Sequence, residues 1–75
     1  MRPEQIDETA VNIFAIAMKD KLRIVRERGK GGWYDSQDCT IEDLVDFFNL
    51  QTVKPERDYV DIGIFAMMIW NRKMK

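Results

Sequence analysis

The feature that most constrains this chain is an uncharged apolar block near its end, the nine residues from Ile62 to Trp70. An α-helix has about 3.6 residues per turn, so a helical block of this length is apolar on every face. Such a helix has to be enclosed by protein or by a membrane. A membrane span needs about 18–20 apolar residues, so this block is too short to be one. We therefore expect protein to enclose it.

The length of the chain predicts a single domain over residues 1–75 that is completed by self-association. A domain this small buries only about 60% of the surface of its unfolded chain and is marginal alone. Cys39 is the only cysteine and histidine is absent, which excludes an internal disulfide, a Cys/His metal site and histidine-based catalysis. Association with a second copy is the common remaining way to stabilise such a chain.

Charge and cysteine usage bound the partners and the compartment. Twelve basic residues against thirteen acidic ones give a formal net charge of −1, which offers no reason to expect a nucleic-acid partner. We expect no membrane partner either. A lone thiol and the lack of an apolar signal segment lead us to expect a cytoplasmic location.

The apolar pattern predicts an all-α chain with a long, a short and a long helix. Apolar residues recur at spacings of three and four from Ile6 to Val25, which predicts helix 1 over about residues 4–28. Pro3 suits its first position, and Gly29 suits the position just beyond its end. Ile16 and Ile24 widen the apolar face, so we expect helix 1 to contact more than one neighbour.

The two remaining helices carry their own start signals. Thr40 and Asp43 nearly match a capping box, which predicts helix 2 over about residues 41–50. Pro55 suits a first helical position and predicts helix 3 over about residues 55–73. The core side of helix 2 is predicted to carry Ile41, Leu44, Val45, Phe47 and Phe48. The core or oligomer contact is further predicted to use Phe14, Ile64, Phe65, Met68 and Trp70.

The end of helix 1 and the loop after it leave two interpretations open. Basic residues, among them Arg26 and Arg28, favour either a solvated face that complements the helix dipole or a contact with an anion such as a phosphate. Trp33 and Tyr34 follow a glycine-rich stretch and either cover the end of a helical bundle or form a stacking surface for a base or a partner. We interpret Cys39 as a small buried hydrophobic residue, because no histidine can activate it.

Several separated motifs resemble one known group of proteins. They are Lys21-Leu22-x-x-x-Arg26-x-x-Gly29, then Gly31-Gly32-Trp33, Cys39, Leu44, and Asp61-Ile-x-x-Phe65-Ala-Met-Met-Ile69. Together they resemble small proteins of bacteriophages and prophages related to the MazG-like all-α nucleoside triphosphate pyrophosphohydrolases. The resemblance implies helices that assemble as dimers or tetramers. In active members it also implies Mg²⁺ held by a Glu-Glu-x-x-Glu motif on one helix and a Glu-x-x-Asp motif on the next.

The implied metal site is incomplete in this chain. Asp58 and Asp61 fall on the second motif, while the place of the first is occupied by Leu50, Gln51 and Lys54. A lysine there would repel Mg²⁺, although its ammonium could pair with Asp58 or Asp61 and stand in for the metal. The family's asparagine is replaced by the apolar Ile64. Both changes favour a packing surface over a catalytic site.

A shifted alignment keeps an alternative open. Asp43 and Asp46, with Asp58 and Asp61, would offer Mg²⁺ four carboxylates of the kind it prefers. Against this, Asp43 is also a predicted helix cap, and aspartates reach less far than the glutamates of the family. The chain is then either a minimal Mg²⁺-dependent pyrophosphohydrolase, or its aspartates cap helices and pair with cations.

The first expectation for function is a non-catalytic, MazG-like phage-type protein without a cofactor. It would form a homodimer through helices 1 and 3 and bind a host or phage protein. The binding surface would be the loop with Trp33 and Tyr34, or the basic end with Arg26 and Arg28. The pyrophosphohydrolase is the first alternative. The second is a protein that binds a nucleotide through Arg26, Arg28 and Trp33 without hydrolysing it.

Overall fold

A computed structural model of the chain describes residues 1–74. It contains three helices, α1 (Pro3–Glu27), α2 (Ile41–Val53) and α3 (Tyr59–Lys73), and no strand among the described residues. The all-α prediction is confirmed. The chain divides into two compact units, residues 1–30 with α1, and the part from Gly31 with α2 and α3.

Helix α1 begins and ends as its sequence predicts. Pro3 occupies the first helical position, and the side-chain oxygen of Gln5 accepts a hydrogen bond from the backbone N–H of Arg2 at 2.9 Å. At the other end Gly29 has a φ of 80°, which glycine adopts readily. The N–H of Lys30 donates to the Val25 carbonyl at 3.1 Å and that of Gly29 to Arg26 at 2.9 Å, the pair of bonds of a Schellman motif.

In the second unit α2 and α3 pack against each other around a small core. Its buried side chains are Leu44 of α2 and Ile64 and Met68 of α3. The two α3 residues are four positions apart and therefore lie on one face of that helix. Phe47 and Phe65 add a tilted aromatic contact with 5.7 Å between ring centroids.

The predicted core side of α2 is too wide. Leu44 is buried and Ile41 and Phe48 are half-buried, but Val45 and Phe47 are exposed. The prediction of Val45 and Phe47 as core residues is wrong, because a helix that packs against one neighbour buries only one stripe of its surface. Of the residues predicted for the core or for the oligomer, Phe14 and Phe65 are half-buried and Trp70 is exposed.

Helix α2 extends three residues beyond its predicted end, to Val53, and α3 begins four residues later than predicted, at Tyr59. The prediction that Pro55 starts the last helix is wrong. A proline disfavours the helical conformation in the residue before it, and Lys54 is extended, with φ −65° and ψ 142°. Pro55 therefore marks the end of α2. Asp58 sets the start of α3 instead, because its Oδ1 accepts from the N–H of Val60 at 3.0 Å.

Candidate functional site

The aromatic loop between α1 and α2 is held in place by the last turn of α3. Nη1 of Arg72 donates to the carbonyls of Trp33 and Cys39, both at 2.7 Å. The guanidinium is partly buried there, where a charge-assisted bond is stronger than in water. From its position alone, Arg72 would be expected only to complement the dipole of the last helix, as a cation near the C-terminal end. No feature of the sequence indicates that Arg72 donates to two carbonyls of the aromatic loop.

The loop also closes on itself around Asp35. The N–H of Cys39 donates to the Asp35 carbonyl at 2.8 Å, and the N–H of Gln37 donates to Asp35 Oδ1 at 2.9 Å. Gly32 has φ 80°, which disfavours a residue with a Cβ, and an added Cβ would lie 3.2 Å from Asp38 Oδ2, so the Asp38 side chain would have to shift slightly. These bonds give the loop one defined path across the end of the helical pair.

Trp33 fits one of the two interpretations of the aromatic loop and Tyr34 fits the other. Trp33 is half-buried, as expected of a residue that covers the end of the helices, and Tyr34 is 68% exposed. Their rings meet edge to face, with 5.8 Å between centroids and 79° between planes. Tyr34 therefore presents most of its ring to solvent on a fixed aromatic neighbour, which suits contact with a partner.

Cys39 is half-buried and not buried as predicted, since it lies in the loop just before α2. Its Sγ lies 3.8 Å from the carbonyl oxygen of Thr40. Partial burial raises the pKa of the Cys39 thiol; the charge of Asp43 raises this pKa further, Arg72 lowers it and Asp38 raises it. A raised pKa keeps the sulfur protonated near neutral pH, so this thiol is a poor nucleophile.

The basic end of α1 is partly neutralised within its own helix. Arg23 donates to Asp20 at 2.8 Å and to both carboxylate oxygens of Glu27 at 3.0 Å. These hydrogen bonds, first that to Asp20 and then that to Glu27, raise the pKa of Arg23. Arg26 and Arg28 are exposed, on the unit that does not contain Trp33 and Tyr34. The proposed binding residues thus belong to two separate units.

Two of the four aspartates predicted for the alternative metal site, Asp43 and Asp58, cap the starts of helices. The carboxylate of Asp43 accepts from the N–H of Thr40 at 3.1 Å, and Thr40 Oγ1 accepts from the N–H of Asp43 at 3.0 Å, which completes the predicted capping box. Asp58 caps α3 and precedes its first residue, so Asp58 and Asp61 do not both lie on the helix, as the Glu-x-x-Asp motif of the resemblance would require. Within residues 1–74, no group of three or more carboxylates or thiols is arranged to hold a metal ion.

The connection that carries Lys54 is not helical. Residues 54–58 form bends and extended backbone, so Lys54 is not one helical turn before Asp58. That the ammonium of Lys54 takes the place of the metal ion stays a prediction. The connection is fixed by Arg57, whose Nε donates to the Thr52 carbonyl at 2.7 Å and so satisfies an end carbonyl of α2.

Each of the three helices exposes large apolar side chains. Helix α1 has no buried residue, although it carries exposed branched residues at Ile6, Val11, Ile13 and Ile16. Helix α2 exposes Phe47, Leu50 and Val53, and α3 exposes Tyr59 and Trp70. Single exposed apolar residues are normal, but such residues on every helix of a small chain indicate surfaces that bind protein.

None of the described helices combines the length and the apolar character that crossing a membrane requires. No protein family model matches the chain, and no curated protein or solved structure matches it either. The site therefore has to be interpreted from its own geometry.

Proposed function

We propose that the chain is a non-catalytic helical protein that acts by association, as expected of the small MazG-like phage-type proteins it resembles. It would bind a second copy of itself and a further protein. The observation that carries this proposal is the exposure of apolar side chains on all three helices, with only Leu44, Ile64 and Met68 buried among residues 1–74. Burial of such surface on association would contribute roughly 25 cal/mol of favourable free energy per Å² of apolar surface removed from water.

Helix α1 supports the proposal most directly. It is 25 residues long and without a buried side chain, and Ile6, Ile13 and Ile16 are each more than half exposed. Ile6 and Ile13 are seven residues apart, two helical turns, and so lie on one face. Most helical stability in proteins comes from packing of an apolar face, so a helix of this kind gains from a partner.

The contacts of the aspartates also favour binding over catalysis. Asp43 and Asp58 both accept hydrogen bonds from backbone N–H groups at helix starts, and those bonds account for them structurally. A Mg²⁺ site needs carboxylate oxygens that converge on one point with near-octahedral geometry. The minimal pyrophosphohydrolase therefore has less support from the geometry than association has.

The test is the mass of the purified chain in solution across a wide concentration range, measured by sedimentation velocity. We expect the mean mass to exceed that of the monomer and to rise with concentration. The melting temperature should rise as well, because assembly stabilises the folded state by mass action. A monomer at every concentration, with a constant melting temperature, would contradict self-association.

A further inference from the structure

The side of α3 turned away from the core carries a regular set of exposed residues, which we call the outer face. It consists of Tyr59, Ile62, Ala66, Trp70 and Lys73. Tyr59 and Trp70 are 67% and 63% exposed, Ala66 and Lys73 are exposed, and Ile62 is half-buried. At about 100° of rotation per residue, these positions lie opposite the buried Ile64 and Met68.

We infer that the outer face binds the outer face of a second copy, with the two α3 helices antiparallel and a two-fold axis close to Ala66. The inference rests on the proposed function, and it adds which surface makes the contact and in which direction. A two-fold interface uses the same patch on both subunits, so the patch has to be complementary to itself after a half turn.

The spacing of the outer face meets this requirement. Ile62 and Trp70 lie four residues on either side of Ala66, and Tyr59 and Lys73 lie seven residues on either side. The half turn would place Ile62 against the partner's Trp70, and Tyr59 against the partner's Lys73. Small side chains at a helix crossing allow a short interaxial distance, and Ala66 would stand at the crossing. An ammonium over a tyrosine ring is a favourable cation–π contact.

The charges favour the antiparallel direction. The chain at the start of α3 carries Glu56, Asp58 and Asp61, and its last turn carries Arg72 and Lys73. Arg72 already donates to the loop carbonyls, so Lys73 is the exposed cation of that turn. An antiparallel pair places each acidic start beside a basic end and sets the two helix dipoles in opposition. A parallel pair would place like charges together.

Direction is tested by disulfide trapping in a Cys39→Ser background. Two variants are made, Tyr59→Cys and Lys73→Cys, which differ in mass. They are mixed in equal amounts and oxidised in a glutathione buffer, and the products are identified by mass spectrometry. We expect the disulfide between the two different variants to exceed the share expected from random pairing. Enrichment of the two symmetric disulfides would overturn the antiparallel arrangement.

The face itself is tested by placing a charge at the proposed axis. In Ala66→Arg two guanidinium groups would meet in the interface, where like charges are costly. We expect the apparent dissociation constant of the dimer to rise by about tenfold or more, the equivalent of a modest loss of binding free energy. Asn49→Arg is the matched control, because it adds the same charge at an exposed position of α2. Circular dichroism checks that both variants keep their helices.

The outcomes separate this inference from the proposed function. A wild-type chain that is monomeric at every concentration contradicts self-association itself, and the outer-face dimer with it. A wild-type oligomer that keeps its mass in Ala66→Arg, or that loses it equally in Asn49→Arg, overturns the outer face alone and leaves association through another surface. Selective loss in Ala66→Arg together with the mixed disulfide supports both.

Discussion

Nη1 of Arg72, in the last turn of α3, donates to the backbone carbonyl of Trp33 at 2.7 Å, across 39 positions of sequence. The same nitrogen donates to the Cys39 carbonyl at 2.7 Å. One side chain therefore joins both ends of the aromatic loop to the last helix. The position of Tyr34, the exposed ring of that loop, depends on this contact through its neighbour Trp33.

Replacing Arg72 should loosen the loop and destabilise the second unit. Arg72→Met keeps much of the side-chain length but removes the donor for two carbonyls. We expect a loss of about 1.5–3 kcal/mol in the free energy of unfolding, as for a hydrogen bond to a charged group. Urea denaturation measures the loss, and hydrogen exchange at the Cys39 amide reports on the loop. Lys54→Met, at an exposed cation of the same unit, should change stability by no more than about 0.5 kcal/mol.

Truncations of Met68 and Trp70 should differ in whether their cost depends on protein concentration. Met68 is buried, so Met68→Ala should cost about 2–5 kcal/mol in urea at any protein concentration. Trp70 is mostly exposed, so Trp70→Ala should cost little when the chain is dilute and more when it is concentrated enough to associate. An equal cost for Trp70→Ala at both concentrations would argue against its place in an interface.

Substitutions of Asp58 distinguish its role as a helix cap from a role as a metal ligand. Asparagine is as good an N-cap as aspartate, whereas alanine loses about 0.5–2 kcal/mol. We expect Asp58→Asn to retain more stability than Asp58→Ala in urea denaturation. Pyrophosphate release from each nucleoside triphosphate with Mg²⁺ is measured in parallel. Release by the wild type that disappears in Asp58→Asn and Asp61→Ala would instead establish the hydrolase alternative.

The Cys39 thiol should alkylate slowly at neutral pH. Its pKa is raised in the folded chain, so the iodoacetamide rate should reach its midpoint at a higher pH than in urea-unfolded chain. The thiol of the unfolded chain loses its proton at a lower pH than that of the folded chain. The free energy of unfolding therefore falls as the pH rises through the pKa of the unfolded thiol, and it levels off above the pKa of the folded thiol. Cys39→Ser should remove this part of the pH dependence, and a folded midpoint below the unfolded one would contradict the prediction.

Two glycines that lie two positions apart in the sequence, Gly29 and Gly31, should respond differently to substitution by alanine. Gly29 has φ 80°, a left-handed conformation that costs a residue with a Cβ about 1–2 kcal/mol. Gly31 lacks a positive φ, and an added Cβ there meets nothing within 4 Å. Gly31→Ala should therefore be neutral or slightly stabilising, because it restricts the unfolded chain. Helix content and thermal melts of both variants check the contrast.

The helices and their ends were predictable wherever a local signal acts alone. Pro3, Gly29 and the Thr40–Asp43 box each act within a few residues, and each lies where the sequence predicts. Pro55 was ambiguous, since a proline can start one helix or end the preceding one. Pro55 favours an extended conformation of Lys54, and Asp58 provides an N-cap for α3. For these two reasons Pro55 follows the end of α2 and does not start α3.

The candidate site was less predictable because it depends on contacts distant in sequence. An arginine near a helix end looks the same whether it is solvated or, like Arg72, donates to a loop. The apolar block of α3 indicated burial on all sides, yet it did not distinguish the buried Met68 from the exposed Trp70. Only the position of α2 makes that distinction. The outer face could have been suspected from the spacing of its residues around Ala66.

No side chain of α1 is buried, so a substitution in this helix removes no core packing. Under the proposed function, substitutions over residues 3–27 would change a binding surface and leave the buried Leu44, Ile64 and Met68 as they are. Folding of the α2–α3 unit therefore constrains substitutions in its buried core more than it constrains substitutions in the long helix. If the chain acts by association as proposed, a change of partner would then require no change in the residues that hold the fold together.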